Sequence, residues 1–273
     1  MGLRVNTNIA SMTAQRHMGT VTSRLGGNYS RLASGLRIST AADDAAGLAI
    51  SERMRSQIRS LGAAGRNAQD GISLVQTAEG ALNEVSNLLG RMRELSVQAA
   101  NGTLSTADRT TINDEVSAII AEIDRISDAS EFNGINLLDG SAASTSIQVG
   151  LDANETIDIV LQDATAATLG VDTVDVTTTA GANTALSLVD AAIDTVNAAR
   201  GAMGASQNRL QSAIASIANA RENLSSAESR IRDVDVASET ADLTRNTIMQ
   251  QAAVSILQQA NTQPQIALSL LQG

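Results

Sequence analysis

Between Ser34 and Arg59 the chain reads SGLRISTAADDAAGLAISERMRSQIR, and this stretch contains the end of one helix and the start of another. Ser34-Gly35 is a helix-breaking pair that follows an apolar-periodic run. Thr40 and Asp43 are N-cap candidates. The positive N-terminal end of the helix dipole stabilises carboxylates at this position. Beyond them apolar residues recur at spacings of four, four and three, which is a helical face: Ile50, Met54, Ile58 and Leu61. The stretch therefore predicts a link between a first helix and a longer second one.

Three helices are predicted in the first half of the chain. The first covers residues 5–33, and its loose apolar pattern and three glycines indicate that it is weak alone. The second covers Asp43 to Ala99, with a seam at Ala68, Ile72, Val75, Leu82 and Leu89 and a shifted register at Val85, Leu88, Met92 and Leu95. The third begins at a Ser105 or Thr106 cap and has a heptad seam at Ile112, Val116, Ile119, Ile123 and Ile126.

The period changes from helix to strand after residue 140. Residues 131–140 are rich in turn-forming residues, and apolar residues then alternate with polar ones on both sides of the link 152–155. This pattern predicts a β-hairpin near 145–162. Residues 162–183 give no clear element, so a loop and a second small hairpin both remain open.

The longest heptad pattern lies between residues 189 and 231. Thirteen positions alternate strictly at four and three, of which nine are apolar: Val189, Ile193, Val196, Arg200, Met203, Gln207, Leu210, Ile214, Ile217, Arg221, Leu224, Glu228 and Ile231. Such a run predicts a coiled coil whose polar members fix the register. A last helix follows Asp235, and Pro264 is expected to break or kink it.

Composition favours a mainly α protein made of long helices. The 273 residues include 1% aromatics, no Cys and 19 cations that are all Arg, so thin helix-on-helix seams are favoured over a thick core. The net charge of −10 disfavours nucleic-acid binding. No apolar run is long enough for a membrane span, and no signal peptide is visible.

The economical architecture is a long antiparallel helical rod, or coiled coil, with a small β-hairpin at its distal end. Its two chain ends lie side by side. Residues 1–42 and 235–273 would form a terminal coiled-coil domain, and residues 43–234 a helical rod domain.

Several long motifs, in order, resemble those of bacterial flagellin, the subunit of the flagellar filament. Besides residues 34–59 they are Asn67–Leu74, Gln76–Leu82, Arg91–Gln98, Glu131–Gly134, Ala227–Asp235 and Gln259–Gln265. The large variable insert of long flagellins is missing here, so the chain resembles a minimal form.

The resemblance implies a secreted, extracellular protein that polymerises with itself. It implies export by the flagellar type III apparatus, an export chaperone on the C-terminal region, and growth under a filament cap beyond the hook-junction proteins. The terminal helices would line the inner tube through Val5, Ile9, Leu257, Leu268 and Leu271.

The resemblance also suggests a vertebrate Toll-like receptor as a partner. Carried over by motif, its contacts are Arg91, Leu95 and Glu115. Arg91 and Leu95 are four apart and are expected to share an exposed face, which could equally be a subunit contact. Gly90 stands where the family's pattern has Gln, so one polar contact is missing.

Three other classes were weighed. A hook-filament junction protein shares similar termini, and a soluble helical signalling module would also carry Ala, Ser and Gln on heptads. An enzyme is disfavoured because Asp43, Asp44 and Glu94 have no His, Cys or phosphate loop to act with. No cofactor or metal site is predicted, and His17 is interpreted as a surface residue.

Overall fold

The computed structural model describes the backbone of residues 7–272 and the side chains of residues 7–263. Val5, Leu268 and Leu271 therefore lie outside the described side chains. The helices are α1 (Ile9–Ser34), α2 (Ala45–Ala99), α3 (Thr106–Ala129), α4 (Ala166–Leu169), α5 (Thr179–Arg232) and α6 (Val236–Gln272). The strands are β1 (Glu131–Phe132), β2 (Ile135–Asn136), β3 (Ser144–Gln148) and β4 (Thr156–Val160). The predicted mainly α class with a small hairpin is confirmed.

The chain forms two compact units. We call residues 1–56 with 223–273 the terminal unit, and residues 57–222 the central unit. The assignment of residues 1–42 with 235–273, and of 43–234, to two layers of a filament concerns the assembled state and stays a prediction.

In the terminal unit α1 packs antiparallel against α6. The Asn8 side-chain amide donates to the carbonyl of Ala260 at 2.7 Å, and the Ser11 hydroxyl donates to the Asn261 side chain at 2.7 Å. Asn8 also caps α1 by accepting from the backbone N–H of Ser11. These contacts bring the two ends of the described chain together, as the sequence predicted.

The link after α1 pairs with the turn between α5 and α6. Val234 N–H donates to the carbonyl of Gly35 at 3.0 Å, and Arg37 N–H donates to that of Arg232 at 2.7 Å. The Arg37 guanidinium donates to the carbonyl of Ile231 at 2.5 Å. We call these contacts the clasp. Gly35 has φ = 71°, so the predicted stop at Ser34-Gly35 is confirmed as a left-handed C-cap.

The cap of α2 is Asp44, and the predicted caps at Thr40 and Asp43 are wrong. Asp44 Oδ1 accepts from Gly47 N–H at 2.9 Å, three residues into the helix. Asp43 instead accepts from the backbone and hydroxyl of Thr40 and Ser39, and these bonds lower the pKa of its carboxyl, those of Thr40 most. A carboxylate that closes the preceding turn cannot also cap the helix.

In the central unit α2 packs against both α3 and α5. The predicted α2 seam is buried except at Leu88, which is partly buried, and Leu82, Leu89 and Met92 have no exposed surface. The Ser105 cap of α3 is confirmed, with a reciprocal capping box to Asp108. Four members of the α3 seam are buried, and Ile126 is partly buried.

The register predicted for α5 is half right. Val189, Val196, Met203, Leu210 and Ile217 are buried as expected. The alternate positions lie one residue earlier than predicted, so the seam buries Ala185, Ala192, Ala199 and Ser206 in place of residues that are only half buried, Ile193, Arg200 and Gln207. Small side chains allow neighbouring helices to approach closely, which a count of large apolar residues does not detect.

The β-hairpin is confirmed, with β3 and β4 antiparallel and Ile147 opposite Ile157. A second, two-residue hairpin of β1 and β2 was missed. Its turn residues Asn133 and Gly134 both have positive φ, 51° and 77°, and an Asn-Gly pair is a known signal for such a turn. Residues 162–178 form a loop with the short helix α4, and residues 179–183 are the first turn of α5, so no further hairpin forms there.

Pro264 does not end α6, which continues to Gln272. The expected break there is wrong. Proline removes one helical hydrogen bond, and 28 residues of helix precede it.

Candidate functional site

Arg91 lies on the exposed side of α2 and contacts two carboxylates. Its guanidinium donates to Glu115 Oε1 of α3 from Nη2 at 2.8 Å and from Nε at 3.0 Å, and to Glu94 at 3.1 Å. These bonds raise the pKa of Arg91, that to Glu115 most. We call Arg91, Glu94 and Glu115 the Arg91 cluster. The side chains of Arg91 and Glu115 are about half exposed, Glu94 is more exposed, and their hydrogen bonds hold the Arg91 guanidinium in one orientation.

Leu95 lies beneath this surface and not on it. Only 2% of it is exposed, within the core between the helices. The prediction that Arg91 and Leu95 share an exposed face is therefore wrong for the isolated chain. A step of four residues rotates the side chain by about 40°, which is enough here to move from the rim of the seam into it.

Arg93 makes the equivalent link from α2 to α5. Its Nε donates to Asp190 Oδ1 at 2.6 Å, and this bond lowers the pKa of the Asp190 carboxyl. The pairing was missed because 97 residues separate the partners. Both ion pairs are charged contacts between helices, with no nucleophile or general base beside them.

The terminal unit exposes large apolar side chains. Ile9 is 61% exposed, Ile248 61% and Ile256 58%. Leu257 is half buried. A depression of about 320 Å³ opens on this unit, lined by Ala14, His17, Val21, Met249, Ala252, Ala253 and Ile256. Apolar surface of this kind marks contacts with other chains.

Metal-ligating side chains do not cluster in the described residues. No group of three His, Cys, Asp or Glu side chains there could hold a metal ion. No helix in the described part of the chain is long and apolar enough to cross a membrane.

Comparison with known families identifies the family of the chain. Residues 5–145 match the bacterial flagellin N-terminal helical region, and residues 186–271 match the bacterial flagellin C-terminal helical region. The chain belongs to the flagellin family. It is a structural subunit of the flagellar filament, outside the cell, and not an enzyme.

Proteins named flagellin are similar to this one over nearly the whole chain. The flagellin of Halalkalibacterium halodurans is 46% identical, over 98% of this chain and 99% of that one. The flagellin of Bacillus subtilis is 44% identical, over 98% and 100%. The crystal structure of Bacillus cereus flagellin is 33% identical with a TM-score of 0.51, over 56% of this chain and 88% of that one. These matches give no support to the hook-filament junction or signalling-module alternatives.

Proposed function

We propose that copies of this flagellin join through the apolar surface of the terminal unit. The observation that supports this is the exposure of Ile9, Ile248 and Ile256 on α1 and α6. Covering such side chains contributes roughly 25 cal/mol per Å² of apolar surface. Val5, Leu257, Leu268 and Leu271 extend the same surface in this proposal.

The terminal helices would form the inner tube of the filament, and residues 43–234 would form its outer layer. Charge supports this division. Residues 43–234 hold 26 acidic side chains and 13 Arg, whereas the rest of the chain holds 3 and 6. A strongly acidic surface keeps its hydration more easily when it faces solvent.

Delivery to the filament would use the partners that the family resemblance implies. These are the flagellar type III export apparatus, a cytoplasmic export chaperone, the filament cap and the hook-junction proteins.

A charge placed on the apolar surface tests the assembly proposal. Ile248→Asp should abolish sedimentable filaments in a seeded polymerisation assay, while the circular dichroism of the monomer stays unchanged. Gln251→Asp adds the same charge at an exposed polar position of α6 and should still polymerise. Filaments of normal yield from Ile248→Asp would refute the surface.

We propose a second role for the Arg91 cluster, as the surface read by the vertebrate Toll-like receptor and by the neighbouring subunit at different times. Arg91 is half exposed and Glu115 holds it in place, which suits an anchor at an interface. In this proposal Leu95 does not contact the partner, and its burial in the core holds α2 in position.

The two roles of the Arg91 cluster separate in two assays on one variant. Arg91→Ala should lower receptor signalling by monomers and also impair polymerisation. Arg125→Ala removes another exposed Arg of an ion pair, with Glu122, and should change neither. Unchanged signalling by Arg91→Ala would exclude the receptor site, and unchanged polymerisation would exclude the subunit contact.

A further inference from the structure

Three polar side chains are buried together between α1 and α6. Asn28 is 5% exposed, and Glu239 and Asn246 are each 8% exposed. Asn28 donates to Glu239 Oε1 at 2.5 Å and accepts from the Asn246 amide at 2.8 Å. Arg31 lies 3.7 Å from the same carboxylate oxygen. We call Asn28, Glu239 and Asn246 the polar triad.

The rest of this helix pair discriminates poorly between alternative pairings. Its buried apolar side chains are few, with Ala14, Leu25 and Ala260 below a tenth exposed. Among the described side chains, Leu243, Met249 and Leu257 of α6 are only half buried, and others such as Ile9 and Ile256 are exposed, so apolar contact alone would accept several registers. A slip within one chain would also break the clasp, but most of its bonds join backbone atoms, so the clasp does not distinguish the α6 of one copy from that of another.

A slip of one heptad breaks the polar triad in either direction. In one direction Asn246 would face Val21 in place of Asn28, leaving a buried amide without its partner. In the other, Glu239 would pass the end of α1 at Ser34 and lose Asn28 and Arg31. Leaving a buried polar group unpaired is unfavourable, and more so when the group is charged. Each slipped register is therefore disfavoured relative to the matched one.

We propose that the polar triad selects the partner and register of α1, so that it pairs with α6 in one alignment only. The proposal rests on the proposed function in one respect, since assembly brings further α1 and α6 helices within reach. Single buried polar residues fix register in coiled coils by the same physics.

Cysteine cross-linking tests the register, because the chain has no Cys of its own. Ser11→Cys with Asn261→Cys reports the observed alignment, since those side chains touch. Ser11→Cys with Val254→Cys reports a slip of one heptad. After oxidation, non-reducing gels separate cross-links within a chain from those between chains, for monomers and for filaments.

Replacing the triad by apolar residues should release the register. The triple variant Asn28→Leu, Glu239→Leu and Asn246→Leu should still form the helix pair, because apolar replacement of buried polar groups is often neutral or stabilising. Without the polar triad the slipped register leaves no polar group unpaired, so the yield of the slipped cross-link should rise about threefold or more. Thr20→Leu with Gln251→Leu adds Leu at exposed positions of the same helices and should leave the yields unchanged. A slipped yield that is equal in the triad variant and in the unsubstituted background would overturn the proposal.

An exchange of residues keeps the test valid if the apolar variant fails to fold. Asn28→Glu places two carboxylates together and should lower the yield of the native cross-link. Adding Glu239→Asn restores one amide and one carboxylate and should recover it. If Glu239→Asn does not restore the yield of the native cross-link, the proposed role of the polar triad is overturned. If the native cross-link forms normally but the protein gives no sedimentable filaments, the result counts against the proposed assembly surface and not against the triad.

Discussion

Gly71 shows how one residue of α2 is fixed by its surroundings. A Cβ at this position would lie 3.1 Å from Ile147 of β3 and 3.3 Å from Leu210 of α5. Three elements of the central unit therefore meet so closely that a methyl group would require the Ile147 and Leu210 side chains to shift by a few tenths of an ångström. Glycine in a helix is otherwise unfavourable by about 1 kcal/mol relative to alanine.

We expect Gly71→Ala to destabilise the protein despite its better helix propensity. Overpacking a close contact costs about 1–3 kcal/mol, which offsets the gain from alanine. Urea unfolding followed by circular dichroism measures the difference.

Gly80 is the matched control for this substitution. It lies on the exposed side of the same helix, and a Cβ there meets nothing within 4 Å. Gly80→Ala should raise the free energy of unfolding by up to about 1 kcal/mol. If both substitutions stabilise the protein equally, the close approach at Gly71 is not a constraint.

At the scale of elements, the pairing of α2 with α5 depends on small side chains. Ala185, Ala192, Ala199 and Ser206 alternate with larger apolar residues along the buried seam of α5. Because these residues are small, the helices can approach closely, and Ile193 is left at the edge of the seam.

We expect Ala192→Leu to separate the two helices and to lower the free energy of unfolding by about 1–3 kcal/mol, since the position is 1% exposed. Thermal unfolding measures this loss. Ala191→Leu, at the exposed neighbouring position, should change stability by less than about 0.5 kcal/mol. A larger effect at 191 than at 192 would contradict the observed seam of α5.

At the scale of the whole molecule, every basic side chain apart from one His is Arg. The guanidinium of Arg stays charged at any pH at which the protein is folded, whereas the ammonium of Lys loses its charge near its ordinary pKa of about 10.4. The ion pairs that join helices, such as Arg93 with Asp190 and Arg232 with Glu52, should therefore persist in strongly alkaline solution.

We expect the thermal midpoint to be nearly constant from about pH 6 to about pH 11. On the acidic side, the Arg93 bond lowers the pKa of Asp190, and the Arg232 bond lowers that of Glu52. A carboxyl whose pKa is lower in the folded state than in the unfolded state stabilises the fold at any pH above its unfolded-state pKa of about 4. That contribution disappears as the pH falls through its folded-state pKa. The midpoint should then drop below about pH 4, as measured by calorimetry across the pH range.

Arg93→Lys is the control for the alkaline range. It should match the unsubstituted protein at pH 8 and lose stability above about pH 10, where the ammonium is deprotonated. A midpoint of the unsubstituted protein that falls in the same range would contradict the role assigned to Arg.

Sequence by itself determined the long helices, the C-cap of α1 at Gly35, the N-cap of α3 at Ser105, the β3–β4 hairpin and the family. These features depend on local propensity and on periodicity, which neighbouring residues carry. The resemblance to flagellin likewise singled out Arg91 and Glu115 before their contact was seen.

Only the tertiary structure decided which side of each helix is covered. It assigned the cap of α2 to Asp44, moved half of the α5 seam by one residue, buried Leu95, and brought Asn28 together with Glu239 and Asn246. The physical reason is that one residue turns a helix by about 100°, while small and polar residues are buried only where a distant partner fits them. That partner lies up to 250 positions away in this chain, as for Ser11 and Asn261, beyond the reach of any local pattern.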